Sequence, residues 1–322
     1  MRKLAAILAI SSLLLTGCAP ADRQASSTKV VLISHDSFAI SDESIAEFEA
    51  SSGFELEIIR AGDAGSLTNR LVLTKSSPIA DVVFGIDSTF RGVADQNGII
   101  QGKLTEVDFA DVCFNYDRLW FDVNGITPPS SWRDLTQPEF KDLTVVTNPL
   151  TSSPGLAFLA TTVSALGESG FEAFWTELRD NGVKVAAGWE EAYFTEFSGS
   201  SGSGKFPIVL SYCSSPAAEI RENGQSQTVA FLDEGFRQTE YIGILAGAQN
   251  PTGAGALIEF LLAEPFQSTM PELMYVYPVN PDAVIPSEWT KFGPAARTTI
   301  GEELDVATNR ESWQAKWASI FE

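Results

Sequence analysis

Two turns of the chain pair serine hydroxyls with a proline, a combination that suits the binding of an anion. The residues concerned are Ser152, Ser153 and Pro154 in the first turn, and Ser214, Ser215 and Pro216 in the second. Serine is a preferred N-cap and proline is common in the first helical turn, so each turn predicts a helix start with free backbone N–H groups. If both helices begin at one cleft, these groups and the positive dipole ends predict a phosphate site. The alternative is an ordinary strand-to-helix turn in each case.

Two aromatic residues follow apolar runs that are typical of buried strands. Tyr212 comes after the run 208–210, and Trp189 comes after the run 183–186 and a glycine turn. Since open α/β sheets bind ligands at the carboxyl ends of their strands, both rings are predicted to lie at a cleft. There they could stack on a flat ligand and attract a cation.

Polar residues follow the first two predicted strands. His35 and Asp36 come directly after Lys29–Ser34, and Asp63 and Ala64 lie in a glycine-containing turn after the second strand. This turn is not a P-loop, because it lacks the Gly-Lys-Ser/Thr ending. The alternatives to ligand contacts are a histidine with an ordinary hydrogen bond and an aspartate that caps a helix.

The elements that must position these residues alternate between strand and helix. Predicted strands cover 29–34, 54–59, 80–85, 111–116, 143–146, 183–186, 208–210, 228–231 and 240–246, with an extended aromatic stretch at 274–279. Predicted helices cover 44–50, 67–74, 171–179, 254–262 and 311–321, and others begin at the two serine turns. This alternation predicts an open α/β sheet rather than a sandwich.

The first 28 residues read as an export signal followed by a tether. Arg2 and Lys3 precede an apolar run that ends in Leu15-Thr16-Gly17-Cys18, and this run is too short to span a membrane. The ending resembles a bacterial lipobox, which predicts a signal peptide of residues 1–17, lipidation of Cys18 and a tether over 18–28. The alternative is a plain secretory signal with a chance cysteine.

Composition narrows the function classes. The formal net charge of −21 over 322 residues argues against nucleic acid and anionic membrane surfaces as partners. This negative charge either favours a cationic ligand or only keeps the protein soluble. A single histidine excludes a histidine-rich metal site, and no cysteine spacing indicates zinc. Cys113 and Cys213 could form a disulfide in an exported protein, although nothing in the sequence shows that they meet.

Seven segments in this order resemble the thiamine-binding solute receptors of bacterial ABC importers. They are HDSF, SLTNRL, ADVVFGID, TSSPGL, AAGWEEAY, VLSYCSSPA and YVYPV. The resemblance implies an α/β, two-lobed periplasmic-binding-protein fold of type II, with open mixed sheets and a hinged cleft. The predicted strand runs pause near residues 108 and 225 and then resume, which predicts lobes of 29–108 with 226–280 and of 109–225 with 281–322. The resemblance also implies a monomer that is not an enzyme, has no cofactor or metal, and delivers thiamine or its phosphates to a cognate ABC permease. The lipobox predicts that this receptor is anchored by lipid at the outer face of the cell membrane.

The resemblance also implies a set of ligand contacts. They are His35, Asp36, Asp63, Ala64, Ser152, Ser153, Trp189, Tyr212, Cys213, Ser214, Ser215, Pro216 and Tyr275. The chain departs from the family pattern at Ala64, where glycine is expected, at His35, where tyrosine is expected, and at Tyr275, where tryptophan is expected. The stretch 108–112 also lacks the aromatic, glycine-containing pattern of the family.

Three rival readings stay open from the residues alone. A receptor for a phosphonate or another phosphate-bearing anion would use the same serine turns. A ferric-ion receptor needs paired tyrosines, whereas Tyr212 is followed by Cys213. An exported enzyme would need a nucleophile elbow, a metal spacing or a histidine-paired nucleophile, and none is evident.

Overall fold

The computed structural model describes residues 28–200 and 204–322. The predicted signal peptide, Cys18 and the tether up to residue 27 lie outside the described residues. The strands are β1 Lys29–Ser34, β2 Glu55–Arg60, β3 Val82–Asp87, β4 Ile100–Asp117, β5 Thr144–Thr147, β6 Lys184–Ala186, β7 Ile208–Tyr212, β8 Thr228–Ala230, β9 Phe236–Leu245 and β10 Tyr277–Pro278. The helices are α1 Asp42–Ser52, α2 Ala64–Thr74, α3 Arg91–Asn97, α4 Arg118–Asn124, α5 Ser153–Asp180, α6 Pro251–Leu262, α7 Glu264–Gln267, α8 Met270–Met274, α9 Ser287–Phe292 and α10 Val306–Phe321.

The strands form one mixed sheet that contains two groups of parallel strands. The group of β1, β2 and β3 is called the first wing, and the group of β5, β6 and β7 the second wing. The order of the sheet is β2-β1-β3-β9-β4-β7-β5-β6, and both β8 and β10 pair with β4. β1 is parallel to β2 and β3, and β5 is parallel to β6 and β7. Strands β3, β5 and β7 are buried along their whole length, because helices cover both faces and every side chain points into a packed layer.

Two long antiparallel strands join the wings. β4 pairs with β9 over its first part and with β7 over its last part, so it begins in the first wing and ends in the second. β9 lies between β3 and β4 and brings the chain back. The chain therefore crosses between the wings along both strands, as the predicted discontinuous lobes require. The lobe boundaries themselves, 29–108 with 226–280 and 109–225 with 281–322, stay a prediction.

Most predicted elements are present, and the differences have local causes. The strand predicted at 111–116 is the end of the 18-residue β4. The helix predicted at 171–179 is the end of α5, which bends at Gly167 with φ 73°. The extended stretch predicted from Met274 is wrong at its start, because Met274 ends α8 and Tyr275 is left-handed with φ 62°.

The second wing carries a disulfide and the C-terminal helix. Cys113 on β4 is bonded to Cys213, the residue after β7, with their Cα atoms 5.0 Å apart. The predicted C-terminal helix is confirmed as α10, which packs on α5 with Trp313 and Trp317 buried. In the part of the chain that the structure describes, no helix combines the length and apolarity needed to cross a membrane.

Candidate functional site

Two adjoining cavities lie between the wings, where β1, β2, β5, β6 and β7 reach their carboxyl ends. The inner cavity is lined by His35, Ser37, Asp63, Asp108, Ser153, Trp189, Tyr212, Glu240, Met274 and Val276. The outer cavity shares Ser37, Asp63 and Trp189, and adds Asp36, Gly62, Ser66, Thr151, Ala187, Gly188, Glu190 and Glu191. Residues from both wings line each cavity, as expected for a ligand cleft in an open α/β fold.

Asp63 connects the two wings. It is the N-cap of α2, where its Oδ1 accepts a hydrogen bond from the Ala64 N–H at 2.6 Å. Its Oδ2 accepts the Trp189 backbone N–H at 2.8 Å. A Cβ at Gly188 would lie 3.0 Å from that oxygen, so glycine permits the close approach. Burial raises the pKa of Asp63, and the hydrogen bonds from Trp189 and Ala64 oppose that rise.

Trp189 belongs to an aromatic cluster. Its indole N–H donates to Ser211 Oγ at 2.8 Å, and its ring is stacked on Tyr193 with centroids 4.9 Å apart. The rings of Tyr212 and Tyr275 both lie 5.9 Å from it, the first tilted and the second edge-on. These contacts hold Trp189 in one orientation while part of its surface still lines both cavities.

A chain of hydrogen bonds runs along one wall of the inner cavity. Gln238 Nε2 donates to Tyr212 Oη at 3.3 Å and to Glu240 Oε1 at 3.2 Å. Glu240 Oε2 lies 3.1 Å from His35 Nε2. Burial alone would lower the pKa of His35, but the charge of Glu240 and its hydrogen bond raise it above the ordinary value. His35 and Glu240 therefore form a buried ion pair when the imidazole is protonated.

Gly85 creates the space for the His35 ring. A Cβ at this position would lie 1.9 Å from His35 Cδ2, and the backbone has φ 94°. The register between β3 and β9 shifts here, between Phe84 and Ile86. A glycine in a strand commonly marks such a bulge, and here the bulge gives the histidine its place.

Three carboxyl groups, Asp87, Asp108 and Glu240, form a row across the sheet, and the last two line the inner cavity. In the strand register Glu240 stands opposite Asp87 on one side and opposite Asp108 on the other, so the three side chains share one face of the sheet. All three are buried. Burial raises the pKa of Asp87 to about 7, and the hydrogen bonds that Thr89 donates to its carboxylate limit this rise.

The sequence reasoning did not identify Asp108, Glu240 or Gln238 as site residues. A carboxylate on a strand of largely buried residues is the signal that could have found the first two, because such a group is rarely buried without a role. The stretch 108–112 departs from the family pattern, and this departure alone does not identify Asp108 as a site residue.

The first serine turn lies at the inner cavity. Ser152 is the N-cap of the 28-residue α5, and proline stands in the first turn as predicted. Ser153 is buried and lines the cavity, and no partner for its hydroxyl is found within residues 28–200 and 204–322. A cavity that holds an unpartnered hydroxyl beside a helix N-terminus can accept an anionic or hydroxyl group.

The second serine turn differs from the prediction. Ser215–Ala218 is a single four-residue 3₁₀ turn rather than a helix, so it lacks the summed dipole of a long helix. Ser215 Oγ is hydrogen-bonded to Ser211 Oγ at 2.8 Å, and Ser214 Oγ donates to the Tyr275 carbonyl at 2.5 Å. The hypothesis of two helix N-termini facing one anion is therefore wrong for this turn.

Several predicted contacts stand behind the cavity walls. Ala64, Ser152, Cys213, Ser214, Ser215, Pro216 and Tyr275 are absent from the lining of both cavities. Tyr275 instead borders a separate cavity with Trp289, and the Cys213 sulfur is in the disulfide. The cavities do bring together His35, Asp36, Asp63, Ser153, Trp189 and Tyr212.

The site carries more carboxyl groups than cationic groups, and in the described lining only His35 can offset one of them. The two cavities are lined by six carboxyl groups, and among the described residues no lysine or arginine lines either of them. No group of three or more possible metal ligands occurs within the described ranges. An aromatic surface combined with unbalanced carboxylates suits a flat organic cation.

Comparison with known proteins agrees with this architecture. A family profile described as bacterial extracellular solute-binding protein matches residues 82–292. A thiamine-binding periplasmic protein of Escherichia coli is 28% identical over 285 residues, covering 84% of this chain and 85% of that protein. One of Brucella melitensis is 26% identical over 338 residues, covering 98% of each. A solved structure described as a periplasmic thiamin binding protein has a TM-score of 0.77 and 25% identity, covering 91% of this chain and 96% of that one. The predicted two-lobed periplasmic-binding-protein fold is thereby confirmed.

Proposed function

The chain belongs to the family of bacterial extracellular solute-binding proteins, which are transport receptors and not enzymes, and on that basis we propose that it binds thiamine between its wings. In this proposal it delivers thiamine, free or phosphorylated, to the permease of an ABC importer. The names of its relatives support the choice of ligand.

One observation carries the proposal: Trp189 lines both cavities beside carboxyl groups that no lysine or arginine of the lining offsets. Thiamine combines a permanently charged thiazolium with a flat aminopyrimidine. An indole attracts a cation to its face and stacks on a flat ring, and nearby carboxylates strengthen the attraction of the cation.

The phosphate esters are the finer part of the proposal. The Ser153 hydroxyl lines the inner cavity at the start of α5 and has no partner among the described residues. A phosphate or the hydroxyethyl group of thiamine placed there would receive a hydrogen bond from this serine and favourable interaction with the helix dipole.

Calorimetric titration of the soluble protein with thiamine, its monophosphate and its diphosphate tests both parts. We expect binding of thiamine. Ser153→Ala should weaken binding of the monophosphate about tenfold, and more than binding of thiamine, because a hydrogen bond to a charged group is worth about 1.5–3 kcal/mol. Ser164→Ala, on the same helix but outside both cavities, is the control. Equal losses for both ligands in Ser153→Ala would contradict the phosphate site, and no binding of any thiamine form would refute the assignment.

The same titration separates the rival ligands. A phosphonate receptor would bind an aminoalkylphosphonate in preference to thiamine, and a ferric-ion receptor would bind iron. The unbalanced carboxylates disfavour a small anion, and the absence of a cluster of metal ligands among the described residues does not support iron.

We also propose that a lipid on Cys18 holds the protein at the outer face of the cell membrane. The lipobox Leu15-Thr16-Gly17-Cys18 supports this placement. Cys18→Ser should move the protein from the membrane fraction to the soluble fraction. Retention of the variant in membranes after carbonate washing would show that another attachment exists.

A further inference from the structure

The side chain of Asp108 accepts no hydrogen bond from the described residues, although the residue is almost fully buried. The residue is 1% exposed, it lines the inner cavity, and neither carboxyl oxygen has a partner in the part of the chain that the structure describes. Buried polar groups are nearly always hydrogen-bonded, so an unpartnered carboxyl facing a cavity indicates a contact made to a ligand.

The neighbours of Asp108 decide its protonation state. Across the strand pair it faces Glu240, which is already hydrogen-bonded to His35 and Gln238. Two adjacent buried carboxyls do not both ionise readily, and the one without donors keeps its proton. Burial, and after it the charge of Glu240, raise the pKa of Asp108 well above its ordinary value. The titratable groups around this site are His35, Asp63, Asp87, Tyr212 and Glu240.

A protonated carboxyl offers one O–H donor and one C=O acceptor side by side. The complementary edge is an amino group next to a ring nitrogen, which supplies a donor and an acceptor in the reverse order. Asparagine and glutamine read the adenine edge with the same pair of groups, and such a bidentate contact discriminates strongly between bases.

We propose that Asp108, as a neutral acid, binds the amino and ring-nitrogen edge of a heteroaromatic ring. Resting on the proposed function, the inference assigns this contact to the 4′-amino group of thiamine and its neighbouring ring nitrogen. The wall that Asp108 shares with Glu240 is then the specificity-determining wall of the inner cavity. The stacking surface of Trp189 holds the plane of the ligand.

Two substitutions distinguish hydrogen bonding by neutral Asp108 from an ionic attraction between its carboxylate and the ligand. Asp108→Asn keeps one donor and one acceptor, so it should bind thiamine within about threefold of the unaltered protein. Asp108→Leu removes both groups and should bind at least about tenfold more weakly. Asp81→Asn is the control, because Asp81 is a buried aspartate whose oxygens accept the Val31 and Asn250 backbone N–H groups. It should change stability and leave thiamine affinity unaltered.

Calorimetric titration of these variants with thiamine can overturn the proposal in two ways. Equal large losses in the Asp108→Asn and Asp108→Leu variants would mean that Asp108 acts as a charged group, which overturns the neutral pairing. No loss in either would overturn the contact. If Asp108→Leu fails to fold, thiamine lacking its 4′-amino group replaces it. The unaltered protein should then bind this analogue about tenfold more weakly than thiamine, and equal binding would refute the inference.

Failure of the proposed function is distinguishable from failure of this inference. If the unaltered protein does not bind thiamine, the aminopyrimidine half of thiamine and adenine are titrated in its place. Binding of either one that Asp108→Leu abolishes would support the contact for another ligand. Absence of binding by both would overturn it.

Discussion

At the scale of single residues, Trp189 links the backbone of one wing to the side chains of the other. Its backbone N–H is held by Asp63 and its indole N–H by Ser211, so neither the position nor the orientation of the ring depends on the ligand. A ring fixed in this way loses little entropy on binding, which increases the net gain from stacking.

Removing the ring of Trp189 should therefore weaken thiamine binding more than removing a buried tryptophan ring outside the site. Stacking on an aromatic base contributes about 1–3 kcal/mol, so we expect Trp189→Leu to lower thiamine affinity by about one to two orders of magnitude. Trp313→Leu is the matched control, since it also removes a buried indole and one N–H hydrogen bond, in this case to Glu168. Calorimetry should show reduced affinity only for the first variant, and an equal reduction in both would indicate a general loss of packing.

His35 should make stability depend on pH in a predictable direction. Its pKa is raised in the folded protein, so the folded state holds the proton more tightly than the unfolded state. The stability that it contributes is fully present below the ordinary pKa of 6.5 and is lost as the pH rises through the higher folded value. We expect His35→Gln to destabilise the protein more at about pH 5.5 than at about pH 8.5, as measured by urea unfolding.

The chain offers a direct check of this pKa. It contains a single histidine, so one imidazole resonance in a proton NMR titration belongs to His35. Glu240→Gln should bring the midpoint down, because it removes the charge that favours the imidazolium. A midpoint below the ordinary value in the unaltered protein would contradict the buried ion pair.

At the scale of elements, features that depend on local sequence could be predicted, whereas contacts that depend on the topology of the chain could not. Apolar runs such as Ile208-Val209-Leu210 identify strands, and the capping residues Asp63 and Ser152 identify helix starts, because both signals are local. The pairing of His35 with Glu240 joins positions 205 residues apart, and no local pattern encodes it. Asp108, Gln238 and Glu240, which the sequence did not indicate, lie on β4 or β9, whose register only the folded sheet determines.

The bulge at Gly85 allows an element-level test. Gly85→Ala adds left-handed backbone strain and a Cβ that overlaps His35, whereas Gly98→Ala adds strain with no atom within 4 Å of the new Cβ. The strain alone costs about 1–2 kcal/mol. We expect Gly85→Ala to destabilise the protein by more than Gly98→Ala in urea unfolding, and to shift the His35 resonance. Equal destabilisation and an unshifted resonance would show that His35 does not need this space.

At the scale of the whole molecule, the two wings contact each other at two places besides the cavities. The backbone N–H groups of Gly65 and Ser66 donate to the Thr151 carbonyl across the cleft. On another side, α10 packs against α5 and α3, and Gly92 of α3 approaches Ala307 so closely that a Cβ would lie 2.3 Å from it. Any hinge motion about β4 and β9 must therefore break the first contact and slide α3 along α10.

The disulfide closes most of the second wing into a covalent ring. Cys113 and Cys213 are 100 residues apart, and the segment between them contains α4, β5, α5, β6 and β7. When the protein is pulled from its two ends, this segment carries no load and cannot lengthen while the bond is intact. With up to 3.3–3.6 Å per residue, reduction should add about 330–360 Å to the stretched contour in single-molecule force spectroscopy. Cys113→Ala should show the longer contour without reductant. In the unaltered protein under tension, only the parts outside residues 113–213 yield before the ring is opened, namely the first wing, the crossing strands and the C-terminal part with α10.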